Sequence, residues 1–510
     1  MATLDQLHDR LTQGQFARIE DCYQTCLDAL DFGLFEQILA VIIPLTDGER
    51  AQDKLAWQIR GLALRGLQDS AGAHQAFACA ARLAPRDKLI AHSLARSAFE
   101  AGYPAVELFG EARALAPSDA GILLGEAAAM LAQGQGAEAC RALAETLEAN
   151  PGWFEGHKAY ARISAMALPE ADRQASLRSA LVKYPQDPSL WHCLIEAAMQ
   201  ADDYALAHQF VGEARTAIGE TPELERAEAI CRNETGDPAG AMALFQRLAP
   251  PANAAALAHV LRCLIRLGRF DEASARADQS FPGDQDLALW PYRALIWRAA
   301  GDPRWHWLEG DERLIGSYDL TGSLGSLDDL ADVLRAIHTG TGQPIDQSVR
   351  GGTQTDGNLL ARAEPEIRRL RAAVLEAVRA HVAQLPDPVA GHPTLLARRD
   401  PVRIQGAWSV RLLSQGFHVD HVHPQGWLSS AFYAALPEGE QGIARQGKAQ
   451  HGWLTFGECL SLLPDFPAFR TIEPKRGHLA LFPSTLWHGT RPFDAGERMT
   501  VALDIERPRQ

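Results

Sequence analysis

Prolines recur at an almost constant interval through the first part of the chain, each at the end of a short alanine-rich segment. The series is spaced by 32, 34 and 34 residues over its first four members and consists of Pro85, Pro117, Pro151, Pro185 and, more weakly, Pro222, Pro251 and Pro282. A proline ends an α-helix because it lacks the backbone N–H and clashes with the preceding turn. A fixed interval indicates a repeated unit that buries its apolar face only against its neighbours. The chain is therefore predicted to begin with a stack of helical repeats.

Each period contains two helical segments with small residues where the helices are expected to meet, such as Gly61, Ala76 and Ala80. A helix–turn–helix unit of this length that ends in proline resembles the tetratricopeptide repeat. We interpret residues 1–310 as a tetratricopeptide-like α-solenoid. Because such solenoids bind other chains in a concave groove, we expect a protein or peptide partner there, with a plain spacer as the alternative.

The composition changes near residue 300, and residues 311–510 are predicted to form a second domain. One amphipathic helix is expected at about 364–384, among short apolar runs that glycine and proline separate, a pattern typical of a β-sandwich or barrel. The predicted strands are Ala407–Leu413, Leu428–Ala435, Gly452–Phe456, His478–Phe482 and Met499–Ile505. A double-stranded β-helix of the jelly-roll or cupin-like type would bring the turn after the first strand close to the end of the fourth.

Length and charge exclude several classes of protein. A chain of 510 residues is too long to fold around one compact core, so two or more domains are expected. Its formal net charge of −15 argues against broad binding to nucleic acid or to an anionic membrane surface. No apolar run approaches a membrane span, and the first residues lack the pattern of a signal peptide. The eight cysteines show no paired spacing. We expect a cytoplasmic protein without nucleic-acid or membrane partners.

Three histidines and an aspartate fall within six residues after the first predicted strand: His418, Asp420, His421 and His423. A distant His488 is followed ten positions later by Arg498. Two such side chains two positions apart on a strand face the same side, and a third from a facing strand completes a non-haem Fe(II) site with open positions. The arginine can bind a carboxylate through two parallel hydrogen bonds.

Two overlapping pairs compete for the metal. His418 and Asp420 form the familiar first half of a two-histidine, one-carboxylate site, whereas His421 and His423 form a histidine pair. In a regular strand only one pair points at a single metal, because neighbouring positions alternate between faces. Both donor sets are chemically workable, so the residues alone leave the two pairs open.

The run from His421 through Pro424 to Tyr433 is similar to the His-x-His-Pro…Trp…Tyr motif of a bacterial family of 2-oxoglutarate–Fe(II) oxygenases. The segment Pro474–His488 and the later Arg498 match the family's third histidine and closing arginine. Members of the family often carry tetratricopeptide repeats ahead of this domain. The resemblance covers about residues 330–508.

The resemblance implies Fe(II), 2-oxoglutarate and O2 as cofactors. It favours His421, His423 and His488 as the metal ligands over the alternative pair His418 and Asp420. It further implies that Arg498 binds the C5 carboxylate of 2-oxoglutarate. Tyr433 is a candidate hydroxyl donor to the same carboxylate, with a core aromatic as the alternative.

We therefore expect a 2-oxoglutarate-dependent dioxygenase that hydroxylates a protein or peptide presented by the repeats. Two alternatives stay open. One is a tetratricopeptide adaptor whose barrel is degenerate and non-catalytic. The other is a small-molecule oxygenase that uses the repeats for assembly.

Overall fold

The computed structural model describes residues 3–14, 16–343, 345, 347–437, 450–493 and 495–509, and of residues 283–285 it describes the backbone alone. The chain divides into two compact units. One comprises Met1–Gln135 with Asp356–Arg371, and the other comprises Gly136–Thr355 with Ala372–Gln510. Among the described residues, no helix is both long enough and apolar enough to cross a bilayer.

Helices form the described part of the first unit. Up to residue 135 they are α1 (Leu4–Gln13), α2 (Ile19–Leu30), α3 (Phe35–Asp47), α4 (Lys54–Gly66), α5 (Ser70–Leu83), α6 (Lys88–Ala101), α7 (Val106–Leu115) and α8 (Ala120–Ala132). Aspartates begin several of them: Asp53, Asp87 and Asp119 each accept a hydrogen bond from a backbone N–H of the following helix. Such caps satisfy donors that the first helical turn leaves without partners.

Glycines allow neighbouring helices to approach closely. A Cβ atom on Gly61 of α4 would lie 2.8 Å from the Phe77 ring of α5, and one on Gly125 of α8 would lie 2.3 Å from the Phe109 ring of α7. Both rings are buried. A glycine thus faces a phenylalanine ring between α4 and α5 and again between α7 and α8, and such close contact between neighbouring helices is the packing expected of a repeat. The predicted helical repeat architecture is confirmed.

Eleven further helices of the second unit precede the first strand in the described part of the chain. The elements that follow them are called the β-domain below. They are α9 (Gly136–Ala149), α10 (Phe154–Ala167), α11 (Ala175–Lys183), α12 (Pro188–Gln200), α13 (Tyr204–Ile218), α14 (Pro222–Glu234), α15 (Pro238–Phe245), α16 (Ala254–Arg266), α17 (Phe270–Ala277), α18 (Trp290–Ala300) and α19 (Arg304–Glu309). The first four prolines of the series each follow the end of a helix, as predicted. Pro222 instead begins α14, where its missing N–H costs nothing.

The β-domain adds three helices to an antiparallel sheet. The helices are α20 (Thr321–Leu324), α21 (Leu327–Ile337) and α22 (Pro365–Gln384), of which α22 begins in the segment that belongs to the first unit. Short 3-10 helices lie before α18 (Gly283–Leu289), before β1 (Glu312–Leu314) and before α22 (Leu359–Ala361). The strands among the described residues are β1 (Gly316–Asp319), β2 (Val349–Gln354), β3 (Ile404–His421), β4 (Gly426–Ala435), β5 (Leu454–Phe456), β6 (Arg470–Ile472), β7 (His478–Pro483), β8 (His488–Thr490) and β9 (Arg498–Glu506).

The sheet has the order β1-β7-β4-β9-β3-β8-β5-β6, and β2 pairs with β3. Every pairing is antiparallel, and the order departs from the order along the chain, as in a jelly roll. The predicted double-stranded β-helix class is confirmed. Each of the five predicted strands is present, as is the predicted helix, which is α22.

The turn predicted after Leu413 is wrong. Strand β3 continues to His421, and its polar segment is held in the sheet because Arg350 of β2 pairs with Phe417. Arg350 of β2 pairs with Phe417 of β3, and Gly352 pairs with Leu412. Four residues of β3 therefore lie between pairs that are separated by a single residue of β2, and these extra residues form a bulge. This bulge explains why a glycine-containing polar segment continues a strand.

The last helices of the second unit pack on the β-domain. Leu261 and Leu264 of α16 and Trp297 of α18 share one apolar cluster with Cys459 and Trp487. The indole N–H of Trp487 donates to the carbonyl of Pro291 across 3.0 Å. Since Trp487 directly precedes His488, these helices fix the strand on which that histidine lies.

Candidate metal and cosubstrate site

Three histidine side chains converge at one end of the sheet. His421 ends β3 and lies opposite His488 of β8 in the register, and His423 follows two residues later. One ring nitrogen from each lies within 4.8 Å of the other two. The ring centroids are separated by 4.3 Å for His421 and His488, 5.0 Å for His421 and His423, and 5.4 Å for His423 and His488.

Hydrogen bonds fix the tautomer of each ring. Nδ1 of His421 lies 2.8 Å from the carbonyl oxygen of Val419, and Nδ1 of His488 lies 2.9 Å from the carbonyl oxygen of Leu486. Nδ1 of His423 lies 2.7 Å from Oδ2 of Asp504. Because carbonyl and carboxylate oxygens accept hydrogen bonds, each Nδ1 carries the proton, which leaves the lone pair on Nε2.

Burial keeps two of these rings neutral. It lowers the pKa of His488 to about 3 and holds the pKa of His421 well below the ordinary value. Neutral imidazoles are the form that binds a divalent metal. Three Nε2 lone pairs within reach of one point therefore fit Fe(II), for which imidazole is a suitable ligand.

Asp504 belongs to this site although it was missed in the sequence. Its Oδ1 accepts a hydrogen bond of 2.6 Å from the hydroxyl of Ser429, while Oδ2 accepts from His423. The backbone N–H of His423 donates to the carbonyl of Ser484, which fixes the residue at a second point. A sequence signal existed: Asp504 lies six positions after Arg498 on one strand, an even separation that puts both on the same face.

His418 does not join the three nitrogens. The register shifts from His418 opposite Thr490 to His421 opposite His488, so three steps on β3 match two on β8. This second bulge breaks the regular alternation of faces on which the two competing pairs were distinguished. The His418 ring stacks beside that of His421 at 6.1 Å, and its Nδ1 lies 2.9 Å from the hydroxyl of Ser348.

Asp420 also has other partners. Its Oδ2 accepts a hydrogen bond of 2.9 Å from the backbone N–H of Leu460. A Cβ atom on Gly489 would lie 2.4 Å from its Oδ1, so the carboxylate packs on the residue after His488. Burial raises the pKa of Asp420 to about 6. The carboxylate thus links the end of β3 to the loop after β5 and lies outside the group of three histidines.

Arg498 and Tyr433 are buried together with unused hydrogen-bonding atoms. Arg498 is 2% exposed, and its guanidinium carbon lies 5.3 Å from the centroid of the Tyr433 ring. Nη1 of Arg498 donates to the carbonyl of Gly452 across 3.0 Å. Among the described residues, Nε of Arg498 and the Tyr433 hydroxyl have no partner with good hydrogen-bond geometry, although the phenol and the guanidinium interact with each other. A buried cation with free donors beside a phenol fits a carboxylate ligand.

The histidines and Arg498 line one cavity of about 1920 Å³. Helices of the second unit supply part of its wall, including Tyr204 of α13, Arg262 of α16 and Tyr292 of α18. Pockets for small ligands usually occupy roughly 300–1,000 Å³. The cavity therefore leaves room for a substrate well beyond a small organic acid.

Comparisons with known proteins agree with the resemblance drawn from the sequence. Residues 406–504 match the family model described as "Putative 2OG-Fe(II) oxygenase", and residues 105–163 match the tetratricopeptide repeat. Both parts of the resemblance are confirmed. Residues 406–504 are thus similar to a 2OG-Fe(II) oxygenase family whose cofactors are Fe(II) and 2-oxoglutarate, and residues 105–163 are similar to the tetratricopeptide repeat.

Three solved structures illustrate what the chain is similar to. A tetratricopeptide repeat protein from Parabacteroides merdae is 14% identical with a TM-score of 0.30, over 45% of this chain and 91% of that chain. A prolyl-4-hydroxylase from Pseudomonas putida is 15% identical with a TM-score of 0.26, over 38% and 94%. HygX from Streptomyces hygroscopicus, with nickel and 2-oxoglutarate bound, is 12% identical with a TM-score of 0.25, over 38% and 82%. No curated protein matches the chain.

Proposed function

We propose that this protein is a 2-oxoglutarate-dependent dioxygenase that hydroxylates a residue of a protein or peptide substrate. In this proposal residues 311–510 form the catalytic domain, and the repeats of residues 1–310 bind the partner. The observation that carries it is the convergence of three imidazoles, each with its Nδ1 proton held by a carbonyl or carboxylate, in the cavity that Arg498 also lines.

His421, His423 and His488 would hold the iron through Nε2. Bound Fe(II), with 2-oxoglutarate and O2, supplies the oxidising chemistry that inserts an oxygen atom into a C–H bond. The residues of the chain orient and protect this centre. Asp504 holds the ring of His423 in one orientation, and backbone carbonyls do so for the other two rings. Such contacts raise the basicity of the ligands and fix their geometry.

Arg498 would bind the C5 carboxylate of 2-oxoglutarate, and the Tyr433 hydroxyl would donate to the same group. The free Nε of the buried guanidinium supports this role, because an unpaired buried cation is costly and a carboxylate would pair with it. An arginine also suits a carboxylate in geometry, since two parallel N–H groups match its two oxygens.

The cavity supports a macromolecular substrate. Its volume of about 1920 Å³ exceeds what a small cosubstrate fills, and its wall combines strands β3 and β8 with helices of the second unit. A segment of polypeptide in such a space would contact both the repeat helices and the metal centre. This is the reason for preferring a protein or peptide over a small molecule.

The test uses the full chain with Fe(II), 2-oxoglutarate and O2. We expect bound iron and the formation of succinate, both lost in His488→Ala. His478→Ala is the matched control, because this histidine of β7 lies outside the group of three. A protein that binds no iron and forms no succinate would instead support a non-catalytic adaptor. Stimulation of turnover by small metabolites but by no peptide would support a small-molecule oxygenase.

A further inference from the structure

Helix α16 presents a polar stripe to the cavity. The stripe consists of His259, Arg262 and Arg266, which are spaced by three and four residues and so share one helical face. All three line the cavity that contains the histidines. The opposite positions, such as Leu257 and Leu261, are buried in the apolar cluster behind the helix. A polar face on an otherwise buried helix therefore forms part of the wall of the site.

The stripe carries an excess of positive charge. Arg262 donates to both oxygens of Glu234 at 2.7 Å, and Arg266 donates to one of them at 2.6 Å. Two guanidiniums thus share one carboxylate. Arg266 uses further donors on the carbonyls of Asn233 and Ser461, which hold it in place. In the described part of the chain, the two guanidiniums form ion pairs with no carboxylate other than Glu234.

Groups beside the stripe are available for a ligand. The Tyr292 hydroxyl lies within hydrogen-bonding reach of Arg262 and lines the same cavity. His259 makes no hydrogen bond to the described residues, and burial lowers its pKa to about 4, so its ring is neutral near pH 7. A phenol and a neutral imidazole on a wall with an excess of positive charge together favour a ligand that accepts hydrogen bonds and carries negative charge.

The other charges of the cavity limit how much negative charge it accepts. Arg350 is paired with Asp202, and Arg491 is paired with Glu458 at 3.4 Å. Asp420 and Asp465 also line the cavity. A polyanion such as a phosphate backbone would therefore meet more repulsion from these carboxylates than a single carboxylate facing α16 would.

We propose that the α16 stripe, together with Tyr292, recognises an aspartate or glutamate side chain of the peptide substrate close to the residue that is hydroxylated. This inference rests on the proposed function. The acidic side chain would lie against the wall of α16 and α18, and the target C–H bond would face the three histidines. These wall residues would determine specificity rather than take part in the chemical step.

The experiment uses the full-length enzyme with Fe(II) and 2-oxoglutarate and three synthetic peptide pools. One position is fixed as Asp or Glu in the first pool, as Asn or Gln in the second, and as Lys or Arg in the third. Hydroxylation is read by mass spectrometry as the gain of one oxygen atom, and succinate formed without peptide is measured in parallel. We expect the acidic pool to be preferred over the amide pool by about tenfold, since that ratio corresponds to one charged hydrogen bond.

Tyr292→Phe is the decisive variant because it removes one hydroxyl and keeps the shape of the ring. It should reduce the preference for the acidic pool over the amide pool several-fold. Tyr184→Phe is the matched control, since Tyr184 is 51% exposed and does not line the cavity.

Two outcomes would overturn the inference while leaving the proposed function intact. These are equal use of the acidic and amide pools, or a preference for the basic pool. Succinate formation with hydroxylation of no pool would count against the peptide substrate of the proposed function, and the inference would fall with it. An unchanged preference in Tyr292→Phe would remove Tyr292 from the recognition surface and contradict the assignment as stated. A wild-type protein without iron and without succinate would instead overturn the proposed function itself.

Discussion

Asp504 accepts a hydrogen bond from Nδ1 of His423 across 2.7 Å, and its other oxygen accepts one from Ser429. The aspartate therefore sets the tautomer and the direction of one member of the histidine group. The other two histidines use backbone carbonyls for the same purpose. Of the three rings, His423 is thus the one whose orientation depends on a side chain and is open to mutation.

Asp504→Asn should weaken iron binding. The amide keeps the shape of the carboxylate but lacks its negative charge, so its oxygen accepts the Nδ1 hydrogen bond more weakly, and perturbing such outer contacts typically costs ~10–100-fold in metal affinity. Titration of the metal-free protein with Fe(II) measures the effect. Ser429→Ala, which loosens Asp504 without removing it, should have a smaller effect. Equal iron affinity in wild type and Asp504→Asn would contradict this role.

Arg498→Ala should raise the KM for 2-oxoglutarate sharply. Loss of charge-assisted hydrogen bonds to a buried carboxylate costs ~1.5–3 kcal/mol each, so we expect an increase of ~10-fold or more. Tyr433→Phe should give a smaller increase in the same direction. Succinate formation over a range of 2-oxoglutarate concentrations provides the measurement, and Arg313→Ala, an exposed arginine before β1, serves as the control. An unchanged KM in Arg498→Ala would remove that arginine from the cosubstrate site.

Gly125→Ala should destabilise the first unit, whereas Gly110→Ala should not. A Cβ atom at position 125 would lie 2.3 Å from the Phe109 ring, and forced packing of this kind costs ~1–3 kcal/mol. Position 110 has nothing within 4 Å of a Cβ atom, and alanine is favoured over glycine inside a helix by up to ~1 kcal/mol. The two variants should therefore shift the denaturant midpoint in opposite directions. Shifts of the same sign would show that the contact with Phe109 does not limit the packing of α7 on α8.

His381 should make the stability of the second unit fall in mild acid. The imidazole is 1% exposed, and burial lowers its pKa from the ordinary 6.5 to about 4. As pH falls from 6.5 towards 4, the unfolded chain takes up the proton first, so unfolding becomes more favourable through that window. The loss approaches ~3 kcal/mol at its lower end.

His381→Asn isolates this effect, because asparagine does not titrate and can still bond to the Tyr318 hydroxyl, which lies 2.9 Å from Nδ1. The difference in unfolding free energy between wild type and variant should shrink or reverse as the pH falls from 6.5 to 4. Measurement by urea titration at several pH values tests it. A difference that stays constant over this range would mean that His381 does not titrate as its burial requires.

The repeats could be predicted from the sequence because their prolines mark the ends of helices in a fixed period. The proximity of the three histidines could be predicted because His421 and His423 lie in one short motif and His488 lies in another. The continuation of strand β3 beyond Leu413 could not be predicted, because Ser414 and Gly416 are typical of a turn. The strand continues there through its pairing with β2, whose own sequence lacks the composition of a strand.

Asp504 and the α16 stripe were missed for a related reason. Each acts through a partner far away in the chain: Asp504 through His423, and Arg262 through a cavity whose other wall is the β-domain. Patterns within a short window identify candidate ligands that lie near one another. They do not identify the side chains that folding brings to these candidates from elsewhere.

Iron binding by single variants of the neighbouring residues tests the central claim most directly. Full-length wild type and the variants His421→Ala, His423→Ala, His488→Ala, His418→Ala and Asp420→Asn are each titrated with Fe(II) under anaerobic conditions, with folding verified by circular dichroism. The account predicts one tightly bound iron in wild type, His418→Ala and Asp420→Asn, and loss of tight binding in the other three. Tight binding retained in His423→Ala but lost in His418→Ala and Asp420→Asn would contradict it.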